Sequence, residues 1–205
     1  MRARNPFPPG SLAVGAAVVI AGASAYGFLV VSARALGAAE YAPLSVLWAL
    51  AILGGPGFFL PLEQEVASAM AARRARGEGG APVFRKAATL GLLVLGGVVC
   101  VGLVGSPVIT RQLFSGQWLL LVAWLASLVG AFFAHLTRGT LAGQGRFGAY
   151  ARFTGSESAI RCLLAIGLAI LGVSTAGPFG MAVALGPLLA LGVALRGQRD
   201  LLGPG

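Results

Sequence analysis

Long apolar runs separated by short polar segments recur along the whole chain. Six of these runs are long enough, or nearly long enough, to cross about 30 Å of hydrocarbon as helices. They cover residues 11–31, 43–62, 87–109, 117–135, 158–173 and 177–195. Because apolar and polar positions do not alternate within the runs, a transmembrane β-barrel is excluded. We therefore predict an all-α, polytopic membrane protein whose six transmembrane helices form a single lobe over residues 1–205.

The second run contains residues that weaken a helix. Gly54-Gly55-Pro56-Gly57 lies within it, and Pro61 follows about one turn later. Proline removes a helical N–H donor and glycine loosens the backbone, so we expect the helix to be interrupted here. An interrupted helix in a transporter marks a substrate pathway or a hinge, which makes Gly55, Pro56 and Gly57 a candidate hinge. A tolerated kink, common in membrane helices, is the alternative.

Polar residues continue beyond this run as a predicted helix. Residues 63–74 begin with Glu63 and Glu65 and end with Arg73 and Arg74, an order that suits the helix dipole. We expect this helix to extend into the cytoplasmic interface. The two carboxylates, separated by one residue, point to different helix faces, which argues against a catalytic carboxylate pair. Either carboxylate is instead a candidate for lining the mouth of a cavity.

The fifth run is preceded by a helix-start pattern. Thr154-Gly155-Ser156-Glu157 fits the S/T-x-x-E capping box and predicts that a helix begins there. Glu157 and Arg161 are four residues apart with the acid first, the favourable order for an ion pair. This register places Arg161 about one turn inside the helix. There it would either snorkel to the interface or face a polar cavity near the inner leaflet.

Composition and charge support a membrane location and suggest an orientation. Apolar residues make up 57% of the chain and charged residues 10%, against about 25% charged in soluble domains. The basic residues lie between the apolar runs rather than on one basic face, so we expect no nucleic-acid partner. With a cytoplasmic N terminus, every Lys and Arg except Arg34 and Arg111 falls on the inner side. The positive-inside rule thus predicts cytoplasmic N and C termini and a multi-pass protein of the cell membrane.

Residue types that carry catalysis or bind metal are scarce. The single histidine, His135, is expected at the membrane interface, and apart from Arg161 and two cysteines no ionisable group is expected well inside the runs. The chain has no G-x-S-x-G, H-E-x-x-H or Cys/His metal spacing. Gly143–Gly148 spells G-x-G-x-x-G but follows a predicted helix and lacks the later acidic residue, so it predicts no nucleotide site. We expect neither an enzyme nor a cofactor.

Several segments resemble a known transporter family in their order and spacing. Arg34–Leu50 resembles the family segment in which the first helix ends in a motif of the form a-r-x-L-G-x-x-x-Y/F-G and the second follows at once. Pro61–Val66 and Ala71–Gly77 are similar to the inner end of helix two and its basic loop. Gly145-Arg146-Phe147, with Tyr150-Ala151, is similar to the approach to helix five. Over residues 11–175 the chain resembles the polysaccharide flippases, which belong to the superfamily of multidrug, oligosaccharidyl-lipid and polysaccharide exporters. At position 42 it has alanine where the family commonly has glycine.

The resemblance implies a function, partners and candidate site residues. Members usually have two six-helix lobes around a cavity, often cationic, and move lipid-linked oligosaccharides from the inner to the outer leaflet. This chain corresponds to the N-terminal lobe alone, so membrane lipid, a lipid-linked glycan and a second six-helix lobe are the implied partners. The candidate substrate-cavity residues are Arg34, Glu63, Glu65 and Arg161. Arg34, at a helix end, would grip a phosphate through its guanidinium or serve as an interface anchor.

Two other functions fit the same pattern. The first is a drug or small-solute exporter of the same superfamily. The second is a membrane scaffold for envelope-polysaccharide assembly that transports nothing itself. The absence of a second lobe from the sequence keeps both alternatives open, because alternating access needs an opposite wall.

Overall fold

The computed structural model describes residues 10–198 and 200–203 as a bundle of helices. The helices are α1 (Ser11–Ala75), α2 (Ala81–Val104), α3 (Ser106–Gln112), α4 (Trp118–Gly143), α5 (Phe147–Ile170) and α6 (Ala176–Ala194). No strand occurs among the described residues, which confirms the predicted all-α class. Arg2, Arg4 and Arg199, which contribute to the predicted orientation, lie outside the described residues.

Five of the helices, α1, α2, α4, α5 and α6, are long and apolar enough to cross a membrane. The exception is α3, which has 7 residues. Several large apolar side chains on the outside of the bundle, such as Leu93, Val101 and Val104 on α2, are exposed. Such a surface suits hydrocarbon rather than water, so the structure supports a membrane-embedded protein.

The long helix α1 folds back on itself at Gly37. This residue has φ 68° and ψ 174°, a non-helical conformation that favours glycine. The rings of Phe28 and Trp48 stack with centroids 4.9 Å apart, whereas a straight helix would separate these residues by about 30 Å. Residues 11–36 and 38–75 therefore form an antiparallel helical hairpin. The first two predicted apolar runs lie in its two arms.

The interruption predicted at Gly54–Gly57 is absent, and in this respect the prediction was wrong. The second arm of α1 is helical through Gly55, Pro56 and Gly57, and the bend lies at Gly37 instead. A Cβ on Gly55 would be 3.1 Å from the Cβ of Ala131, so this glycine permits a close approach of α4. Whether these residues act as a hinge during motion stays a prediction.

The start predicted for the fifth helix was also wrong. Helix α5 begins at Phe147, and Thr154–Glu157 lies within it. Glu157 does not cap a helix start but forms an ion pair with Arg138 of α4, in addition to its pair with Arg161 one turn along α5. These polar residues face the inside of the bundle rather than capping a helix end, as the local pattern suggested. The prediction that residues 63–74 continue the second helix is confirmed, because α1 runs to Ala75.

The bundle has two distinct ends, defined by contacts between loops. At the Gly37 end, Glu40 binds Gln117 and the backbone of Ala176. At the opposite end, which we call the Arg146 end, Arg146 binds Gln198 and the backbone of Asp200. Ser11 lines a cavity with Ala142 and Phe147, so the described chain begins and finishes at the Arg146 end. This placement agrees with an even number of crossings.

Helices α4 and α6 form the centre of the bundle. Buried residues recur along the full length of both, from Leu120 to Gly143 on α4 and from Ala176 to Ala194 on α6. The hairpin arms of α1 and helix α5 pack around them, while α2 lies at the edge against α4 and α1. Polar residues that α4 carries at buried positions must therefore find partners inside the protein.

Candidate functional site

Ionisable side chains from three helices meet inside the bundle. The second arm of α1 supplies Glu63, α4 supplies His135 and Arg138, and α5 supplies Glu157 and Arg161. We call these five residues the charged cluster. They form one connected chain of contacts in which each carboxylate bridges two bases.

Glu63 anchors one half of the charged cluster. Its Oε2 lies 2.7 Å from His135 Nδ1 and accepts a hydrogen bond of 3.3 Å from Arg138 Nε. The hydroxyl of Tyr150 lies 3.5 Å from the other carboxylate oxygen, Oε1. His135 and Arg138 can both reach Glu63 because residues three apart share a helix face. Glu63 therefore joins α1, α4 and α5.

Glu157 organises the other half. Its Oε2 lies 3.5 Å from Arg138 Nη1, and its Oε1 accepts a 3.1 Å hydrogen bond from Arg161 Nη2. The predicted ion pair between Glu157 and Arg161 is therefore present. Arg138 lies between Glu63 and Glu157 and connects the two halves of the charged cluster.

Aromatic rings complete the surroundings of both arginines. The guanidinium carbon of Arg161 lies 5.1 Å from the centre of a Trp48 ring. That of Arg138 lies 5.8 Å from the ring centre of Phe153. Such cation–π contacts stabilise a guanidinium where water is scarce. The ring stack of Trp48 on Phe28 connects Arg161 to the α1 hairpin.

Arg161 lies farther along α5 than the sequence suggested. Along α5 it is about 21 Å from Phe147 and about 14 Å from Ile170 at about 1.5 Å per residue. It is 6% exposed, and its Nε has no hydrogen-bond partner in the described part of the chain. Arg161 thus lies inside the bundle and lines a cavity with polar walls. Its depth in the membrane stays a prediction.

A cavity of about 200 Å³ adjoins the charged cluster. Four of the five cluster residues line it, all except Glu63. Its other walls come from α1, α4 and α6 and include Pro56, Ser127, Val183 and Pro187. The candidate hinge thus touches the polar cavity through Pro56. A cavity of this size with several polar walls can hold water or a small polar group.

A helix contact holds Arg161 against the neighbouring helix. A Cβ on Gly186 of α6 would be 3.1 Å from the backbone oxygen of Glu157 and 3.4 Å from Arg161 Cβ. Glycine at this position lets α6 approach α5 closely. The side chain of Arg161 is thereby confined between Trp48, Glu157 and α6.

Two of the four predicted substrate-cavity residues lie in the charged cluster, and two lie outside it. Glu63 and Arg161 belong to the charged cluster, although no contact joins them directly. Arg34 and Glu65 are exposed and lie outside the cluster. A cavity role for these two stays a prediction, since an exposed side chain could still face a second lobe.

Glu63 has three partners that the sequence did not predict: His135, Arg138 and Tyr150. His135 is 4% exposed and therefore lies inside the bundle, whereas its predicted position at the membrane interface stays a prediction. One feature of the sequence could have indicated these contacts: polar residues lie one helical turn apart on both α4 (His135 and Arg138) and α5 (Glu157 and Arg161). Polar residues one turn apart in an apolar helix indicate a shared inward face.

The described residues contain no group of three His, Cys, Asp or Glu side chains that could hold a metal.

Comparison of the chain with known protein families, with curated proteins and with solved structures gives no match.

Proposed function

We propose that this protein is one lobe of a membrane transporter for lipid-linked glycans, of the half-size polysaccharide-flippase type. It crosses the cell membrane six times with both termini in the cytoplasm. It works by rocking against a second six-segment lobe, supplied by another copy or another chain. No covalent chemistry is involved, and the substrate passes along the polar interior.

The observation that carries this proposal is the charged cluster. Two carboxylates, two arginines and a histidine lie within helices that are otherwise apolar. Burying ion pairs adds little to stability, because desolvation offsets the attraction between the charges. Ionisable residues inside membrane helices therefore favour a functional role, and most often they mark a substrate or ion pathway.

The distribution of charge supports the proposed orientation. Arg73, Arg74 and Arg76 end the second arm of α1, and Arg85 and Lys86 begin α2. These residues lie at the Arg146 end of the bundle, where the described chain also starts and finishes. Basic residues concentrate on the cytoplasmic side of membrane proteins, so the Arg146 end faces the cytoplasm in this proposal.

A transport assay tests the role of the charged cluster. Purified protein in proteoliposomes, together with its partner lobe if that is a separate chain, is supplied with a labelled lipid-linked oligosaccharide. Transfer between leaflets is then measured. We expect Arg161→Ala to abolish transfer, because it removes the deepest charge and leaves Glu157 with the more distant Arg138 alone. Arg152→Ala is the matched control, since Arg152 lies on the same helix but is exposed.

Two results would count against the proposal. Equal transfer by Arg161→Ala and the unmodified protein would remove the cluster from the pathway. Absence of transfer in all variants, with polysaccharide assembly lost in cells that lack the protein, would favour the scaffold function.

A small-molecule exporter is the second candidate, and one cavity favours it. This cavity has a volume of about 610 Å³ and lies at the Arg146 end. Its walls are mainly apolar, with Phe147 and Tyr150 contributing rings and Glu63 a carboxylate. The volume falls within the range of drug-sized sites. Export of a lipophilic dye by the same proteoliposomes, without glycan transfer, would favour this candidate.

A further inference from the structure

A separate pocket lies at the Gly37 end of the bundle. Its volume is about 360 Å³, which is within the range of small-molecule sites. It is lined by Glu40, Gln117, Trp118, Leu119, Thr175, Gly177 and Pro178. None of these residues belongs to the charged cluster, and none was a candidate in the sequence. We call it the Gly37-end pocket.

The carboxylate of Glu40 is held in place by two donors. Its Oε2 accepts hydrogen bonds from Gln117 Nε2 at 3.0 Å and from the backbone N–H of Ala176 at 2.9 Å. Glu40 follows the bend at Gly37, Gln117 precedes α4, and Ala176 begins α6. Three chain segments thus fix one side chain before any ligand binds.

Acceptor atoms around this carboxylate are left without partners. Among the described residues, neither Glu40 Oε1 nor the side-chain oxygens of Gln117 and Thr175 have a hydrogen-bond partner. The carboxylate charge of Glu40 is partly offset by the amino end of α6 and by the Gln117 amide. The pocket therefore offers several hydrogen-bond acceptors beside a carboxylate that is already held in place.

An aromatic wall lies beside these acceptors. Trp118, the first residue of α4, is 68% exposed and lines the pocket. The floor is tight, because a Cβ on Gly177 would be 2.5 Å from Leu119 Cδ2. The pocket thus combines a tryptophan, a close contact between Gly177 and Leu119, and a set of hydrogen-bond acceptors.

We propose that the Gly37-end pocket binds a sugar ring. The apolar C–H face of the ring packs on Trp118, and its hydroxyl groups donate to Glu40 Oε1 and to the oxygens of Gln117 and Thr175. A quaternary ammonium would also pack on tryptophan. It has no N–H or O–H group to donate, however, so it would leave Glu40 Oε1 and the oxygens of Gln117 and Thr175 unpaired. This inference rests on the proposed function, because it assigns the glycan part of the substrate to the Gly37 end.

Direct binding measurements test the sugar site without a transport step. The full chain in lipid nanodiscs is titrated with maltotriose, chitotriose and mannotriose while tryptophan emission is recorded. We expect saturable binding of at least one trisaccharide, and about tenfold weaker binding by Trp118→Ala, measured by calorimetry. Thr175→Val, which removes one hydroxyl, should weaken binding less. Trp124→Phe is the control, since Trp124 packs in the core away from this pocket.

The contrary outcomes are distinct. If the pocket binds tetramethylammonium but none of the sugars, its ligand is a quaternary ammonium and the proposal is overturned. Absence of binding by either probe would leave Trp118 as an interfacial anchor and also overturn it. If Arg161→Ala transports normally while sugar binding persists, the pathway proposal fails and the sugar site remains.

Discussion

Arg161 has a carboxylate on one side and an indole on another, and it is nearly inaccessible to solvent. A buried ion pair that loses one partner leaves the other as an uncompensated charge, at a cost of about 3–5 kcal/mol. Exposed pairs behave differently, because water replaces a lost partner. Removing one partner of an ion pair therefore costs more stability inside the bundle than on its surface.

For this reason we expect Glu157→Gln to lower the free energy of unfolding by about 3–5 kcal/mol, measured by thermal melting in detergent. Glu78→Gln is the matched control. Glu78 pairs with Arg76 at 2.7 Å, but the side chains are 38% and 57% exposed. This variant should melt like the unmodified protein. Equal melting of both variants would show that water reaches the Glu157–Arg161 pair.

A double variant separates structural from functional roles. Glu157→Gln with Arg161→Met removes both charges and fills similar volume, so stability should return to within about 1–2 kcal/mol of the unmodified protein. Transport should stay lost. Recovery of both stability and transport would show that the pair serves neither the pathway nor its gating.

At the scale of elements, glycines in α1 act through different physical effects. At Gly37 the backbone has a positive φ, and a Cβ there would contact nothing within 4 Å. At Gly57 a Cβ would also contact nothing within 4 Å, but the backbone is helical. Alanine would meet no neighbouring atom at either position. A comparison of the two alanine variants therefore measures the effect of backbone conformation alone.

We expect Gly37→Ala to reduce stability by about 1–3 kcal/mol, because alanine is strained at this φ and ψ. Gly57→Ala should leave stability unchanged or raise it by up to about 1 kcal/mol, since alanine favours helix. Thermal melting followed by circular dichroism measures both. A stable Gly57→Ala variant that loses transport would support the hinge, whereas equal effects at both positions would contradict the bend at Gly37.

Some elements followed from the sequence and others did not. The apolar runs located α2, α4, α5 and α6, because spanning length and hydropathy are local properties. The capping-box pattern at Thr154 failed because Thr154 lies inside α5 and Glu157 pairs with Arg138 of α4, a partner that the local pattern does not contain. Gly55 and Pro56 suggested a break, but that part of α1 is helical and Gly55 lies against Ala131 of α4.

At the scale of the whole molecule, the proposed transport by alternating access needs a second lobe opposite the helices described here. We therefore expect the protein, extracted from its native membrane in lipid nanodiscs, to be found with a second lobe. A homodimer would have twice the chain mass of 20.6 kDa, and a hetero-complex would contain a second chain of six or more membrane segments. Native mass spectrometry measures the mass directly.

A chain that stays monomeric in native lipid would contradict the half-transporter proposal and favour the scaffold. Cross-linking between lobes provides a second test, with cysteines introduced at Arg34 and Glu65. Both positions are exposed, so efficient cross-linking would place them at the contact between lobes. Cysteines introduced at Leu93 on the outer face of α2 should not cross-link.

The sequence by itself determined the class of this protein, an all-helical membrane bundle, because the length and hydropathy of each run do not depend on the rest of the chain. It also supplied Glu63, Glu157 and Arg161 as polar residues of interest. Only the tertiary structure decided that α1 folds at Gly37 and that Glu63 meets His135, 72 residues away along the chain. Contacts over such distances depend on which helix faces pack together, and that choice is made by the whole bundle rather than by any local pattern.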